Sequence, residues 1–185
     1  MRVVVVTPAE PAVLWEEAKA HLRLDSDDEQ GYVENLIAGA QAWIQSWLGR
    51  SIGVQTLQVF YNSFEYPFLP LPNRPILEVE SIEYEDTNGV FQTILPVEYE
   101  LRGDSVGMKF GKAWPDARFH MFNRGETVRI RYTAGYEIPP QPIKQAILLL
   151  VGQWYSYRSN VAEDGAPSEL PMAVEALLSP FRVWA

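Results

Sequence analysis

Apolar residues recur at helical spacing near the start of the chain, where Leu14, Trp15, Ala18 and Leu22 fall on one face. Glu16 and Glu17 stand in the first turn, where carboxylates favour the positive end of the helix dipole. The pattern predicts a short first helix between Leu14 and Leu24. Asp25-Ser26-Asp27-Asp28 supplies turn and capping chemistry, and Val33, Leu36, Ile37, Ala40, Trp43, Ile44, Trp47 and Leu48 then form a longer apolar stripe. Gly49 occupies the place of a left-handed C-terminal residue, so a second helix is predicted over Asp28 to Leu48. Helical spacing returns after Pro139-Pro140 in Ile143, Ala146, Ile147, Leu150, Val151, Trp154 and Tyr155, and a short last helix is predicted over Pro171 to Leu178.

Between these ends, alternation replaces the helical period. Strands are predicted at Gln55 to Tyr61, Ile76 to Glu85, Val90 to Leu95, Val106 to Phe110 and Thr127 to Thr133. Asp86-Thr87-Asn88-Gly89 is a hairpin-turn signal, and Pro67, Pro70, Pro72 and Pro75 predict an extended connection rather than a central strand. The expected class is α+β: a helical body (two N-terminal helices, one long and one short C-terminal helix) from residues 1–50 and 137–185, with a β-rich antiparallel insert at 51–136.

Composition narrows the chemistry. The 185 residues are 47% hydrophobic and 21% charged, ordinary for a globular chain, so disorder of the whole is excluded. Absence of Cys removes disulfides, thiolate metal sites and thiol nucleophiles together. The net charge of −9 argues against a protein whose main affinity is for a phosphate backbone. Met1 to Val6 is far short of a signal-peptide core, and the uninterrupted apolar run Ala146 to Val151 is too short to span a bilayer, so a soluble protein away from membranes is expected.

Local strings that imitate catalytic motifs fail on context. Gly103-Asp104-Ser105-Val106-Gly107 matches the nucleophile-elbow pattern, but strand or turn residues follow it instead of a helix, so Ser105 is read as part of a β-turn. Gly107 to Ala113 lacks the glycine spacing and the hydroxyl residue of a phosphate loop. Asp25, Asp27 and Glu29 alternate like calcium ligands, yet Gln30 and Leu36 stand where Gly and Glu are needed. His21 and His120 have no second ligand at metal spacing. No catalytic residue, metal or cofactor is expected.

Two charge patterns remain. Glu78, Glu80, Glu83 and Glu85 belong to a stretch, residues 51–110, with nine acids against three bases, which reads as a solvated sheet face or as a lining that repels DNA phosphates. Arg118, Arg124, Arg129 and Arg131, interleaved with Phe119, Phe122 and Tyr132, read as a subunit interface, since Arg and aromatics are enriched there. An acidic face and an Arg-aromatic face would suit the two different patches of a head-to-tail contact. The closing Phe181-Arg182-Val183-Trp184-Ala185 is apolar where chain ends normally fray into water, which suggests docking onto something.

The order of the pieces resembles the tailed-bacteriophage head-tail connector (adaptor, head-completion) proteins. The resemblance rests on Leu14 to Asp25, the helix ending Trp47-Leu48-Gly49-Arg50, Leu71 to Ile76 leading into Val79 to Tyr84, Val128 to Tyr136, Ile143 to Tyr155, and Val174 to Arg182. It implies a non-enzymatic structural virion protein at the head-tail junction, assembled in the host cytoplasm. Family members form a ring, commonly of twelve subunits, beneath the portal, extending the DNA channel toward a stopper or tail. By the same resemblance the C-terminal segment, Leu177, Leu178, Phe181, Arg182, Val183 and Trp184, would grip the portal, and DNA would pass without sequence-specific binding. A phage, a prophage remnant and a gene-transfer particle are equally compatible sources. A tail-completion protein and a host-glycan binding module, its exposed aromatics stacking on sugars, are the alternatives.

Overall fold

A computed structural model describes residues 1–117, 126–157 and 172–183. The chain divides into two compact units, one of residues 1–9 and 54–135 and one of residues 10–53 and 136–185. Both helices and antiparallel sheets are present, so the class is α+β.

The first unit is built of strands. They are β1 (Arg2–Thr7), β2 (Gln55–Tyr61), β3 (Phe68–Pro70), β4 (Ile76–Glu85), β5 (Phe91–Ile94), β6 (Tyr99–Arg102), β7 (Ser105–Met108) and β8 (Val128–Ala134). Five make one antiparallel sheet in the order β1-β2-β8-β4-β5, and three make a smaller sheet in the order β3-β7-β6. Alternation along β2 and β8 puts Leu57, Val59, Val128, Ile130, Tyr132 and Ala134 on one face, where they are buried with Ile82 and Ile94 against Leu69, Tyr99 and Val106 of the smaller sheet. Each fully buried aliphatic side chain contributes about 1.5–3 kcal/mol. The β4–β5 hairpin closes where Asp86 was expected to turn the chain: its carboxylate accepts from the Asn88 and Val90 N–H groups at 2.8 and 3.0 Å, and Gly89 takes a φ of 81°. Those bonds, from Val90 above all, hold the Asp86 carboxyl below its usual range.

Three strands differ from the sequence expectation: β1, β3 and β6, the last of which was not expected and pairs with β7 from Tyr99 opposite Met108 to Arg102 opposite Ser105. Residues 2–7, placed with the helical body, instead pair with β2 from Arg2 opposite Phe60 to Thr7 opposite Thr56. Four consecutive valines have no alternation to announce a half-buried strand, but their branched side chains fit an extended backbone. The proline-rich connection also contains β3, which pairs with β7 and satisfies its edge there.

The second unit holds α1 (Trp15–Leu22), α2 (Gln30–Leu48), α3 (Gln141–Ser156), α4 (Met172–Leu178) and a 3-10 turn over Ser179–Phe181. Val33, Ile37, Ala40, Ile44 and Leu48 of α2 are buried with Ile143, Ala146, Ile147, Leu150 and Val151 of α3 and with Val174 and Leu178 of α4. The Leu14 N–H donates to Glu17 Oε2 at 3.0 Å, closing the N-terminus of α1. Arg23 ends that helix in the left-handed region, φ 58°, and Gly49 ends α2 with φ 65°. Buried Gln41 accepts from the Ala12 N–H at 2.7 Å and donates to the Glu10 carbonyl at 2.8 Å, fixing residues 10–12 over α2. Gly53 passes so close to this segment that a Cβ there would lie 1.9 Å from the Glu10 oxygen.

Candidate functional site

The face of the five-stranded sheet opposite its core is polar, and its register arranges it in rows. The first row crosses all five strands: Arg2, Phe60, Arg129, Glu83 and Thr93 stand side by side. The second places Val4, Gln58, Arg131 and Ser81 together, and the third Thr7, Thr56, Thr133 and Glu78. A register shift between Val79 and Ser81 lets Glu80 share this face. Its carboxylate lies 2.8 Å from Arg131 Nε and accepts from the Thr133 and Thr56 hydroxyls at 2.9 and 3.3 Å.

Cations on this face also lie over aromatic rings. The Arg129 guanidinium sits 4.0 Å from the Phe91 ring centroid, and Arg2 sits 4.4 Å from that of Phe60 while pairing with Glu126. Such contacts contribute about 0.5–1 kcal/mol each at half-exposed positions.

This register changes the reading of the charges. Glu78, Glu80, Glu83 and Glu85 lie on β4, next to Arg129 and Arg131 on β8, so they are not separate acidic and basic patches. Half-burial of the arginines follows from the same packing. Arg118 and Arg124 lie outside the described residues, as does His120. Ser105 opens β7 and is followed by strand, so the elbow geometry is absent. Among the described residues, no three His, Cys, Asp or Glu side chains are grouped to hold a metal ion, and no helix is long and apolar enough to cross a membrane.

The edges of the sheet were not legible as candidates. Among the described residues only β2 pairs with β1, and only β4 pairs with β5. Val4, Val5 and Val6 are exposed on the first edge, Phe91 on the second. A β-branched run stopped by Thr7-Pro8 was the available signal for β1.

The C-terminal segment belongs to the helical unit. Leu178 is fully buried in that unit's core, and Leu177 and Phe181 pack against it. Arg50 Nε donates to the Phe181 carbonyl at 2.6 Å, the Val183 N–H donates to the Leu48 carbonyl at 3.0 Å, and the Arg182 guanidinium lies 4.5 Å from the Trp47 ring centroid. The segment thus lies along the end of α2 as far as Val183; Trp184 is outside the described residues.

Comparison with known proteins gives these surfaces a context. The chain resembles a chain of the virion of a native gene transfer agent (GTA) particle at 22% identity with a TM-score of 0.78, covering 100% of this chain and 97% of that one. Chains from the neck of the empty GTA particle, computed with C6 symmetry, and of the native GTA particle, computed with C12 symmetry, match over the same shares at 23% and 21% identity, with TM-scores of 0.77 and 0.72. These likenesses show a shared fold. No curated protein matches the sequence. The model of the family described as "Head completion protein" matches residues 14–169, which span both units. The chain belongs to the head completion protein family.

Proposed function

We propose that this protein is a non-enzymatic structural component of the neck of a phage-like particle, forming a dodecameric ring at the head-tail junction. The ring would lie beneath the portal, extend the DNA channel and receive a stopper or tail. The observation that carries this reading is the family match over residues 14–169, supported by the full-length fold shared with neck chains, one from a neck computed with C12 symmetry.

The surfaces take roles within it. On β4 and β8, four glutamates stand against two arginines, leaving that part of the face net acidic, as suits a wall past which DNA slides without sticking. Arg129 and Arg131, on the central strand β8, hold that wall together within the chain. The portal grip is the segment from Arg182 through Trp184, which reaches a partner by leaving Trp47. Leu177, Leu178 and Phe181 are its anchor in the helical core.

The test is the mass of the purified chain alone and with its cognate portal ring, for the full-length protein and for a version ending at Phe181. Cutting there spares the Arg50 bond to the Phe181 carbonyl and the packing of Leu178. A portal-dependent gain of about twelve copies, roughly 250 kDa for a 21.0 kDa chain, lost on truncation, is expected. No association of the full-length chain with the portal at any concentration would overturn the reading.

A further inference from the structure

We propose that β1 of one copy pairs with β5 of a second copy, so that the five-stranded sheet continues across the junction between subunits. The inference rests on the ring reading and specifies how its neighbours join.

An edge strand presents a row of unpaired N–H and C=O groups, and proteins normally blunt such edges with charge, proline or a covering loop. Strand β1, RVVVVT, carries a charge only at its first residue, Arg2, and among the described residues nothing covers its outer edge; its one register irregularity lies between Val5 and Thr7, at the end of the strand. Val4, Val5 and Val6 are 37%, 55% and 40% exposed. A low-charge, β-branched strand left open in this way is a template for another strand. The opposite edge, β5, is likewise open among the described residues, with Phe91 exposed.

Three observations select β5 of a second copy as the occupant. The two edges are different surfaces of one sheet, so joining them is a head-to-tail contact that repeats and can close a ring, whereas β1 against β1 stops at a dimer. The edges differ in charge: Arg2, which pairs with Glu126 and lies over Phe60 in its own chain, stands at the β1 edge, while Glu83 and Glu85 lie on β4, one strand in from the β5 edge. Joining two β5 edges would instead bring these glutamates toward their own copies. Direction also agrees. Four antiparallel steps separate β1 from β5, so the two run the same way, and a repeat that carries the sheet onward joins them as a parallel pair. The row Arg2, Phe60, Arg129, Glu83, Thr93 would then continue into Arg2 of the next copy.

The chain has no Cys, so single cysteines report cleanly. Chains carrying Val4→Cys and chains carrying Thr93→Cys, both changes on the outward face near an edge, are mixed with cognate portal. They are treated with a short bis-maleimide that tolerates a slip of register. Native mass and denaturing gels are read together. Assemblies with a V4C-to-T93C link, absent when either variant is treated alone, are the expected result. Assemblies without that link, or with V4C joined to V4C, overturn the strand joint and leave the ring reading standing. A chain that remains monomeric with portal present overturns the ring and the joint with it. Hydrogen exchange on the unmodified protein gives a second readout: amides of residues 3–6 and 92–94 should exchange at least about tenfold more slowly in the assembly, and unchanged exchange at both edges would overturn the pairing.

Discussion

Gly53 and Gln41 show how much of the helical unit depends on single atoms near residues 10–12. A Cβ at residue 53 would meet backbone, the Glu10 carbonyl at 1.9 Å, so Gly53→Ala should force the two segments apart. A loss of about 1–3 kcal/mol is expected, as for overpacking elsewhere, read as a lower urea midpoint. Gln41→Leu leaves the Ala12 N–H and the Glu10 carbonyl without their buried partner and should cost about 1–3 kcal/mol by the same measurement. Arg23 is the opposite case, an L-residue holding φ 58° at the end of α1. Replacing it with Gly relieves that conformation, and Arg23→Gly should raise stability by about 0.5–1 kcal/mol. Glu17 adds a pH term. The hydrogen bond from Lys144, then that from the Leu14 N–H, holds its carboxyl below the ordinary value of 4.5. A lowered folded value means that the stabilisation is present above the unfolded value and is lost as pH falls through the folded one. The urea midpoints of the wild type and Lys144→Met should therefore differ near neutral pH and converge as the medium is acidified and Glu17 is protonated in the folded state as well.

At the scale of elements, the sheet tests whether charge on β8 serves the fold. Arg131→Glu sets a carboxylate against Glu80, and a loss of about 1 kcal/mol is expected from like charges on adjacent strands. Glu80→Arg in the same chain should recover most of it, read by thermal unfolding. The four helices and the strands at 55–61, 76–85 and 128–134 were legible because their apolar residues keep one period over two turns or more, or over several alternations. The four-residue strands β5 and β7 were legible from the turn signals that flank them, whereas Phe68–Pro70 lies among prolines, Tyr99–Arg102 is too short to show a period, and β1 is uniform rather than alternating. The charged side chains of the outward face were legible one by one. Their adjacency was not, because it depends on β4 pairing with β8 more than forty residues away in sequence. The anchoring of Leu178 and Phe181 in the chain's own core was hidden for the same reason: an apolar tail reads alike whether it covers its own helices or another protein.

For the whole molecule, a net charge of −9 should keep the free protein off duplex DNA at physiological salt, and retention in a gel-shift experiment would contradict the proposed acidic channel wall. Both units are assembled from two separated stretches of chain. The apolar stripe of α2 is covered by α3, which begins roughly ninety residues after α2 ends. During synthesis at about 5–20 residues per second, that stripe therefore waits about 5 to 20 s for its partner. Strands β1 and β2 emerge early, yet β8, which lies between β2 and β4, is translated after both. A polypeptide released prematurely thus carries an unfinished helical layer and a sheet missing its middle strand, with apolar surface left uncovered in both. Only a finished chain therefore presents the complete five-stranded sheet with both of its edges.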